Sequence, residues 1–274
     1  MACTNNLLQK ACAIRKQTLD IIYESKTGHT GGSLSETDIL VTLFYNVMRF
    51  DVSNPEWQDR DRFILSKGHS VEAYYTILAD LGFISLEELK TFSKFGSKLI
   101  GHPNNKIPGI EMNSGALGHG LSVSVGIALA GKLDKKDYHV YCLMGDGEQA
   151  EGSVWEAAMA AANYKLDNLT AIIDRNHLQI SGNTEEVMAL EPLKQKWEAF
   201  GFKVIEIDGH NYEEIYNALL GRYTDKPVLV IANTIKGKGV KFMENVAKWH
   251  HGVPTVEQMD NAIKDLDGAL YNDK

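Results

Sequence analysis

The stretch Met144-Gly145-Asp146-Gly147-Glu148-Gln149-Ala150-Glu151-Gly152 follows the apolar run Val140 to Leu143 and precedes residues at helical spacing. It reads as a buried strand that turns into a helix start, and a continuous apolar strand of this kind belongs in the middle of a parallel sheet. Two glycines let the backbone close on a ligand while the aspartate between them faces it, so the loop holds either an anion or a cation. The same alternation continues downstream. A helix over 152–164 leads to the strand "LTAIIDRN" (169–176), a helix near 191–200 to "KVIEID" (203–208), and a helix over 211–220 to "PVLVIAN" (227–233). This order predicts an α/β fold of three layers, with helices on both faces of a mostly parallel central sheet. In such a sheet ligands bind beyond the carboxyl ends of the strands. Gly145-Asp146-Gly147, Asp174-Arg175-Asn176, Asp208-Gly209-His210 and Thr234 to Gly239 all fall on that edge.

Upstream, residues 7–24 have helical spacing and Gly28 stops them; "TGHTGGSLSETDILVTLFYNV" (27–47) begins as a glycine-rich loop and becomes a helix, with Ser35 as its N-cap and Asp38 at N3. "DRFILSKGH" (61–69) is a short strand and loop, residues 70–81 are helical, and Ser85 with Glu88 forms a capping box. Residues 96–120 carry glycines and prolines without periodicity, as active-site loops do, and helix returns at about 120–131. Hydrophobic residues make up 44% and the net charge is −8, with no compact basic tract, which argues against nucleic acid. Cys3, Cys12 and Cys142 form neither a metal pair nor a disulfide framework, no 18-residue apolar span occurs, and the start is polar. A soluble cytoplasmic protein with no membrane contact is expected.

The familiar phosphate loops do not fit. "GDGEQAEG" lacks the third glycine of a dinucleotide fingerprint, and "TIKGKGV" lacks the gap and ending of a P-loop. The acidic residues after Asp146 miss the EF-hand positions. An aspartate between glycines before a helix suits a diphosphate held through a hard cation, because the ion reverses the repulsion between carboxylate and phosphate. Asn176 could add an amide oxygen and the Leu178 backbone a carbonyl. The alternative is that Asp146 is a turn or cap residue and Asn176 merely ends a strand.

The histidines weigh against that alternative. Five of the nine (His29, His69, His102, His119 and His210) directly follow a glycine, where 24 glycines in 274 residues would place fewer than one by chance. A glycine neighbour lets backbone approach a ligand, and imidazole both donates and accepts. No spacing suits zinc, no G-x-S-x-G elbow is present, and Cys142 lies in an apolar strand. The chemistry is therefore expected of a cofactor.

With "GDGEQAEGSVWEA" and "NLTAIIDRNHLQISG", the sequence resembles the thiamine diphosphate signature, and "TGHTGGSLS", "DRFILSKGHS", "GHPNNKIPGIEMNSGALGHGLS", "ALEPLKQKWEAFGFKVIEIDGH" and "TIKGKGVKFMENVAKWHHG" extend the resemblance over almost the whole chain. The family it resembles is transketolase, in particular the N-terminal, diphosphate-binding (PP) half encoded as a separate subunit. That resemblance implies thiamine diphosphate and Mg²⁺ or Ca²⁺ as cofactors, with Asp146, Asn176 and the Leu178 carbonyl as metal ligands. It places Gly145, Gly147 and His69 at the diphosphate, Leu117 toward the thiazolium, and Glu151 in a hydrogen-bond network across an interface. It makes His29, His69, His102 and His251 the residues that contact the donor ketose, with His250 an alternative alignment for His251. The middle of Asp174-Arg175-Asn176 is frequently asparagine in that family. Strand alternation puts Arg175 on the side opposite 174 and 176, so it is expected to pair with a surface acidic group and leave the metal site intact.

The resemblance further implies that residues 1–274 are one PP domain and that the pyrimidine-binding and C-terminal domains are absent. A C-terminal partner subunit would then complete an α₂β₂ transketolase of the pentose phosphate pathway, acting on sugar phosphates and inactive alone. Rival readings are a deoxyxylulose phosphate synthase type with pyruvate as donor, a split transketolase for an unusual sugar, and a noncatalytic subunit that kept the fold.

Overall fold

In a computed structural model that describes residues 2–272, the chain runs α1 (Ala2–Ser25), α2 (Thr30–Thr42), β1 (Arg62–Leu65), α3 (Val71–Leu81), α4 (Leu86–Leu89), α5 (His119–Leu133), β2 (Val140–Gly145), α6 (Gly152–Asn163) and β3 (Leu169–Arg175). It continues through β4 (Leu178–Gln179), β5 (Gly182–Asn183), α7 (Thr184–Val187), α8 (Leu193–Ala199), β6 (Lys203–Asp208), α9 (Tyr212–Leu220), β7 (Val228–Asn233) and α10 (Val256–Asn272). Five strands form one sheet in the order β1-β2-β3-β7-β6, and every neighbouring pair is parallel. Gly145 lies opposite Asp174, and Asp174 opposite Ala232, so the polar strand ends meet on one edge.

Strand alternation sorts the core into two halves. Phe63, Leu65, Tyr141, Leu143, Ile172 and Val230 face one side, packed with α2, α3 and α9. Ile64, Val140, Cys142, Met144, Ala171 and Ile173 face the other, packed with Leu121 and Val125 of α5, Val154 and Ala158 of α6, and Trp197 of α8. The three-layer α/β architecture expected from the sequence is therefore present. A smaller cluster joins Leu19 of α1, Leu34 of α2, Val240, Met243 and Trp249 to Ala262 and Leu266 of α10. Among the described residues no helix is long and apolar enough to cross a membrane.

One local expectation is corrected. Helix α2 begins at Thr30, so Ser35 is an interior residue and not the N-cap. The helix tolerates Gly31 and Gly32 because packing needs them: a Cβ on Gly31 would lie 2.8 Å from the Trp249 carbonyl oxygen, and one on Gly32 3.3 Å from Ser70 Cβ. Ser35 Oγ instead lies 2.6 Å from Asp174 Oδ2, to which it donates. The short β4–β5 hairpin and α10 have no counterpart in the sequence reading; the former is two residues a side, too short for a period to register. At Ser85 the cap is present, with the Glu88 N–H donating to Ser85 Oγ at 3.0 Å.

Candidate active site

The carboxyl ends of β2 and β3, the loops after β1 and β7, and the approach to α5 border a cleft of about 380 Å³. His29, His69, Leu117, Gly145, Asp146, Gly147, Asn176 and Leu178, eight of the positions singled out from the sequence, line it. Lys67, Glu148, Ile180, Lys236 and His250 line it as well.

At one end lies Asp146, 2% exposed. Its Oδ1 accepts the Gly147 N–H at 2.7 Å, and Oδ2 accepts the His177 N–H at 2.6 Å. Burial and the nearby Asp174 push its carboxyl above the usual range. Asn176 donates from Nδ2 to Asp174 Oδ2 at 3.3 Å, which turns its amide oxygen the other way, to accept the Leu178 N–H at 3.2 Å. The Leu178 carbonyl accepts from the Lys236 ammonium at 3.3 Å. Among the described residues no group of three His, Cys, Asp or Glu side chains could hold a metal. The donors here are of another kind, a carboxylate, an amide and a carbonyl, all oxygen, which suits a hard cation. Positive charge already rests on two of them, Lys236 on the Leu178 carbonyl and Arg175 on Asp146.

The expectation that Arg175 pairs with a surface acidic group holds at Glu185 and Glu191, but the side chain also reaches the buried Asp146. The Arg175 side chain is 2% exposed, and Nη1 lies 3.3 Å from Asp146 Oδ2 and 2.7 Å from Thr184 Oγ1, while Nη2 reaches Glu185 at 3.0 Å and Glu191 at 3.1 Å. Strand alternation does turn it away from 174 and 176, but Asp146 follows the neighbouring strand and lies on that same side.

Behind this end Lys67 is fully enclosed. Its ammonium lies 2.5 Å from Asp174 Oδ2 and 2.8 Å from Glu36 Oε2. Burial opposes the Asp174 charge, but Lys67 and the hydroxyls of Ser35 and Thr234 outweigh it and hold the carboxyl below its ordinary value. Glu36 is pushed up to about 8, chiefly by burial. Glu148 clasps three segments: Oε1 accepts from the Gly118 N–H (2.7 Å) and Ser66 Oγ (2.5 Å), and Oε2 from the Gly145 N–H (3.0 Å). A Cβ on Gly120 would sit 2.4 Å from Ser66, so α5 starts as close to β1 as backbone allows.

The other end is a knot of imidazoles. His29 packs edge-on to His69 (5.0 Å between centroids), His250 (5.5 Å) and His251 (4.8 Å), and His69 lies 5.2 Å from His250. Burial first, then neighbouring cations and imidazoles, lowers His29 to about 4, His69 to about 2 and His250 to about 3. Buried Glu72 fixes the loop by accepting the His29 N–H (2.8 Å) and Ser33 Oγ (2.7 Å). His250 reaches the cleft and lies 3.1 Å from Lys236 Nζ, whereas His251 is exposed at the rim, 3.3 Å from Thr27 Oγ1. His102 stands outside the lining with its ring against Gly115, where a Cβ would meet it at 2.5 Å. Glu151 is exposed beside Gly118. Of the remaining Gly-His pairs, His119 bonds its own Leu117 carbonyl and His210 bonds Asp38 and the Ile235 N–H.

Lys67, Lys236 and Glu148 are thus functional candidates that sequence reasoning left without a role, and of the alternatives His250 and His251 it is His250 that lines the cleft. Lys67 sits in the "SKGH" loop whose histidine was singled out, and Lys236 in a segment rejected as a P-loop. In both cases the signal was a lysine inside a ligand-edge loop.

The family described as transketolase, thiamine diphosphate binding domain, matches residues 8–269. The chain is 55% identical over 254 residues to a protein of Phocaeicola vulgatus named as a subunit of apulose-4-phosphate transketolase, covering 92% of this chain and 90% of that protein. It is 43% identical over 265 residues to a 6-deoxy-6-sulfo-D-fructose transketolase subunit of a Clostridium species, with 96% of each covered. The crystal structure of a transketolase from Campylobacter jejuni superposes with a TM-score of 0.91 at 35% identity, over 96% of this chain and 43% of that one. The chain therefore spans less than half the length of that enzyme.

Proposed function

From the premise that this chain belongs to the transketolase N-terminal, thiamine diphosphate-binding family, we propose that it is the diphosphate-binding subunit of a two-chain transketolase, moving a two-carbon ketol unit from a ketose phosphate to an aldose phosphate. The observation that carries this reading is the single cleft in which an oxygen-donor set, Asp146, Asn176 and Leu178, meets neutral His29 and His69. Thiamine diphosphate, when bound, supplies the carbon nucleophile and electron sink for breaking the ketose carbon–carbon bond. Asp146, Asn176 and the Leu178 carbonyl would hold Mg²⁺ or Ca²⁺ against diphosphate oxygens, with Gly145 and Gly147 leaving room for the phosphates and Leu117 supplying an apolar wall. His29 and His69, kept neutral at pH 7, can each offer an N–H and a ring-nitrogen acceptor to donor oxygens and move a proton between them. His102 and His251 would act from the rim, and Glu151 would face the partner chain.

Residues 1–274 serve in this reading as one PP domain, and a separate C-terminal subunit supplies the pyrimidine-binding part in a cytoplasmic α₂β₂ assembly. The relatives from Phocaeicola vulgatus and the Clostridium species are both named as subunits of an enzyme, which supports a partner. The name apulose-4-phosphate transketolase favours a second reading of the donor, a branched ketose phosphate in place of xylulose 5-phosphate. The test is product analysis of the chain co-expressed with the pyrimidine-binding subunit, on three mixtures: xylulose 5-phosphate with ribose 5-phosphate, apulose 4-phosphate with an aldose phosphate, and pyruvate with glyceraldehyde 3-phosphate. Ketol transfer in either of the first two supports the proposal. Turnover of pyruvate alone would make it a synthase, and no turnover despite tight cofactor binding would make it a noncatalytic subunit.

A further inference from the structure

The guanidinium of Arg175 is fully buried between the carboxylate proposed to bind the metal and a surface strap. On one side Nη1 lies 3.3 Å from Asp146 Oδ2. On the other it grips Thr184, Glu185 and Glu191. The two strap carboxylates close the segment on itself, Glu185 accepting the Leu190 N–H at 3.2 Å and Glu191 the Leu193 N–H at 2.8 Å. The strap continues from the β4–β5 hairpin, where Leu178 and Ile180 border the cleft. One side chain therefore touches a metal ligand and anchors the segment that follows another.

A charge in that place has an electrostatic consequence. A divalent ion at Asp146 would stand beside a guanidinium that cannot shed its proton. A diphosphate brings negative charge that offsets both cations. We propose that Arg175 is a positioning residue that makes metal and diphosphate bind together: its charge disfavours a lone divalent ion at Asp146, while its fork ties the strap 184–191 to the end of β3. This rests on the reading of Asp146 as a metal ligand. Arg175 touches neither substrate nor cofactor in this role.

The two halves of the proposal separate by substitution. Arg175→Met removes charge and fork, and Arg175→Lys keeps the charge but loses the fork. Mn²⁺ binding to the chain in complex with the pyrimidine-binding subunit is measured by paramagnetic resonance with and without thiamine diphosphate, alongside hydrogen exchange of residues 184–191. An opposing charge at about 4–6 Å shifts a neighbouring ionic equilibrium by roughly one to three powers of ten. Arg175→Met should therefore bind Mn²⁺ alone about ten-fold or more tightly than the wild type, with the gain from added diphosphate shrinking to match. Arg175→Lys should keep the wild-type Mn²⁺ affinities, and both variants should exchange faster in the strap. Equal Mn²⁺ affinity in the Met variant and the wild type, or equal changes in the Met and Lys variants, would overturn the charge role; unchanged exchange in both would overturn the tether. A wild-type two-chain complex showing no diphosphate-dependent Mn²⁺ binding would refute the metal-site reading itself, and this proposal with it.

Discussion

The two ends of the cleft are built on opposite plans. At the Asp146 end nearly every polar atom is tied down: Asp174 receives Ser35, Lys67, Asn176 and Thr234, and Glu148 clasps three loops. At the histidine end the rings lean on one another, and burial keeps them uncharged. A site for a resident ion and diphosphate gains from fixed dipoles that need no rearrangement when the charge arrives. A site for a transient sugar gains from groups with hydrogen-bonding capacity to spare. Under the proposed function, the first end would hold the cofactor rigidly and the second would handle the substrate.

Lys67→Met should break that contrast most severely. It strands the Asp174 carboxylate without its cation, and removing one partner of a buried pair costs about 3–5 kcal/mol, read by urea denaturation. A loss below about 1 kcal/mol would mean the pair contributes little. Next comes Asp146→Ala, expected to weaken metal-dependent thiamine diphosphate binding by about 100-fold or more in calorimetry, beyond the 10–100-fold typical of outer contacts, with a smaller loss of stability than Lys67→Met because Glu185, Glu191 and Thr184 still hold Arg175. A smaller effect is expected at the other end, where His29→Ala in the two-chain enzyme raises donor KM about ten-fold, as for one lost hydrogen bond, and leaves urea stability close to wild type. The smallest is a slope. Below pH 6.5 the unfolded chain takes up protons that His29, His69 and His250 refuse until about 4, 2 and 3, so their contribution makes stability fall as pH drops from 6.5 toward 4. Glu36 and Glu72, raised to about 8 and about 7, act in the opposite sense. A His69→Asn variant isolates the imidazole part and should show a shallower acid limb.

The sheet was legible because strand and helix periods alternate cleanly from Val140 onward, and Asp146 and Asn176 because each sits at a strand end. The α2 start was misplaced because local rules read Gly31 and Gly32 as a loop, whereas tight packing against Ser70 and Trp249 carries the helix through them. Arg175 was expected to meet surface acids, as it does at Glu185 and Glu191, but its contact with Asp146 was missed for a related reason: alternation along one strand gives the side it faces but not what the next strand sets there. Lys67 and Asp174 lie 107 residues apart, and no local period announces such a pair. Roles for His29, His69, His102 and His251, with His250 as the alternative to His251, came from the family resemblance; the geometry lines the cleft with His29, His69 and His250.

At Gly120 the hydrogen that replaces a side chain decides how near the first turn of α5 comes to Ser66. A single methyl there would act as a shim, tilting the helix outward and loosening the grip of Glu148 on Gly118, with Leu117 carried along. The gauge of the groove is set at that joint by an omitted carbon, at a position that touches no ligand.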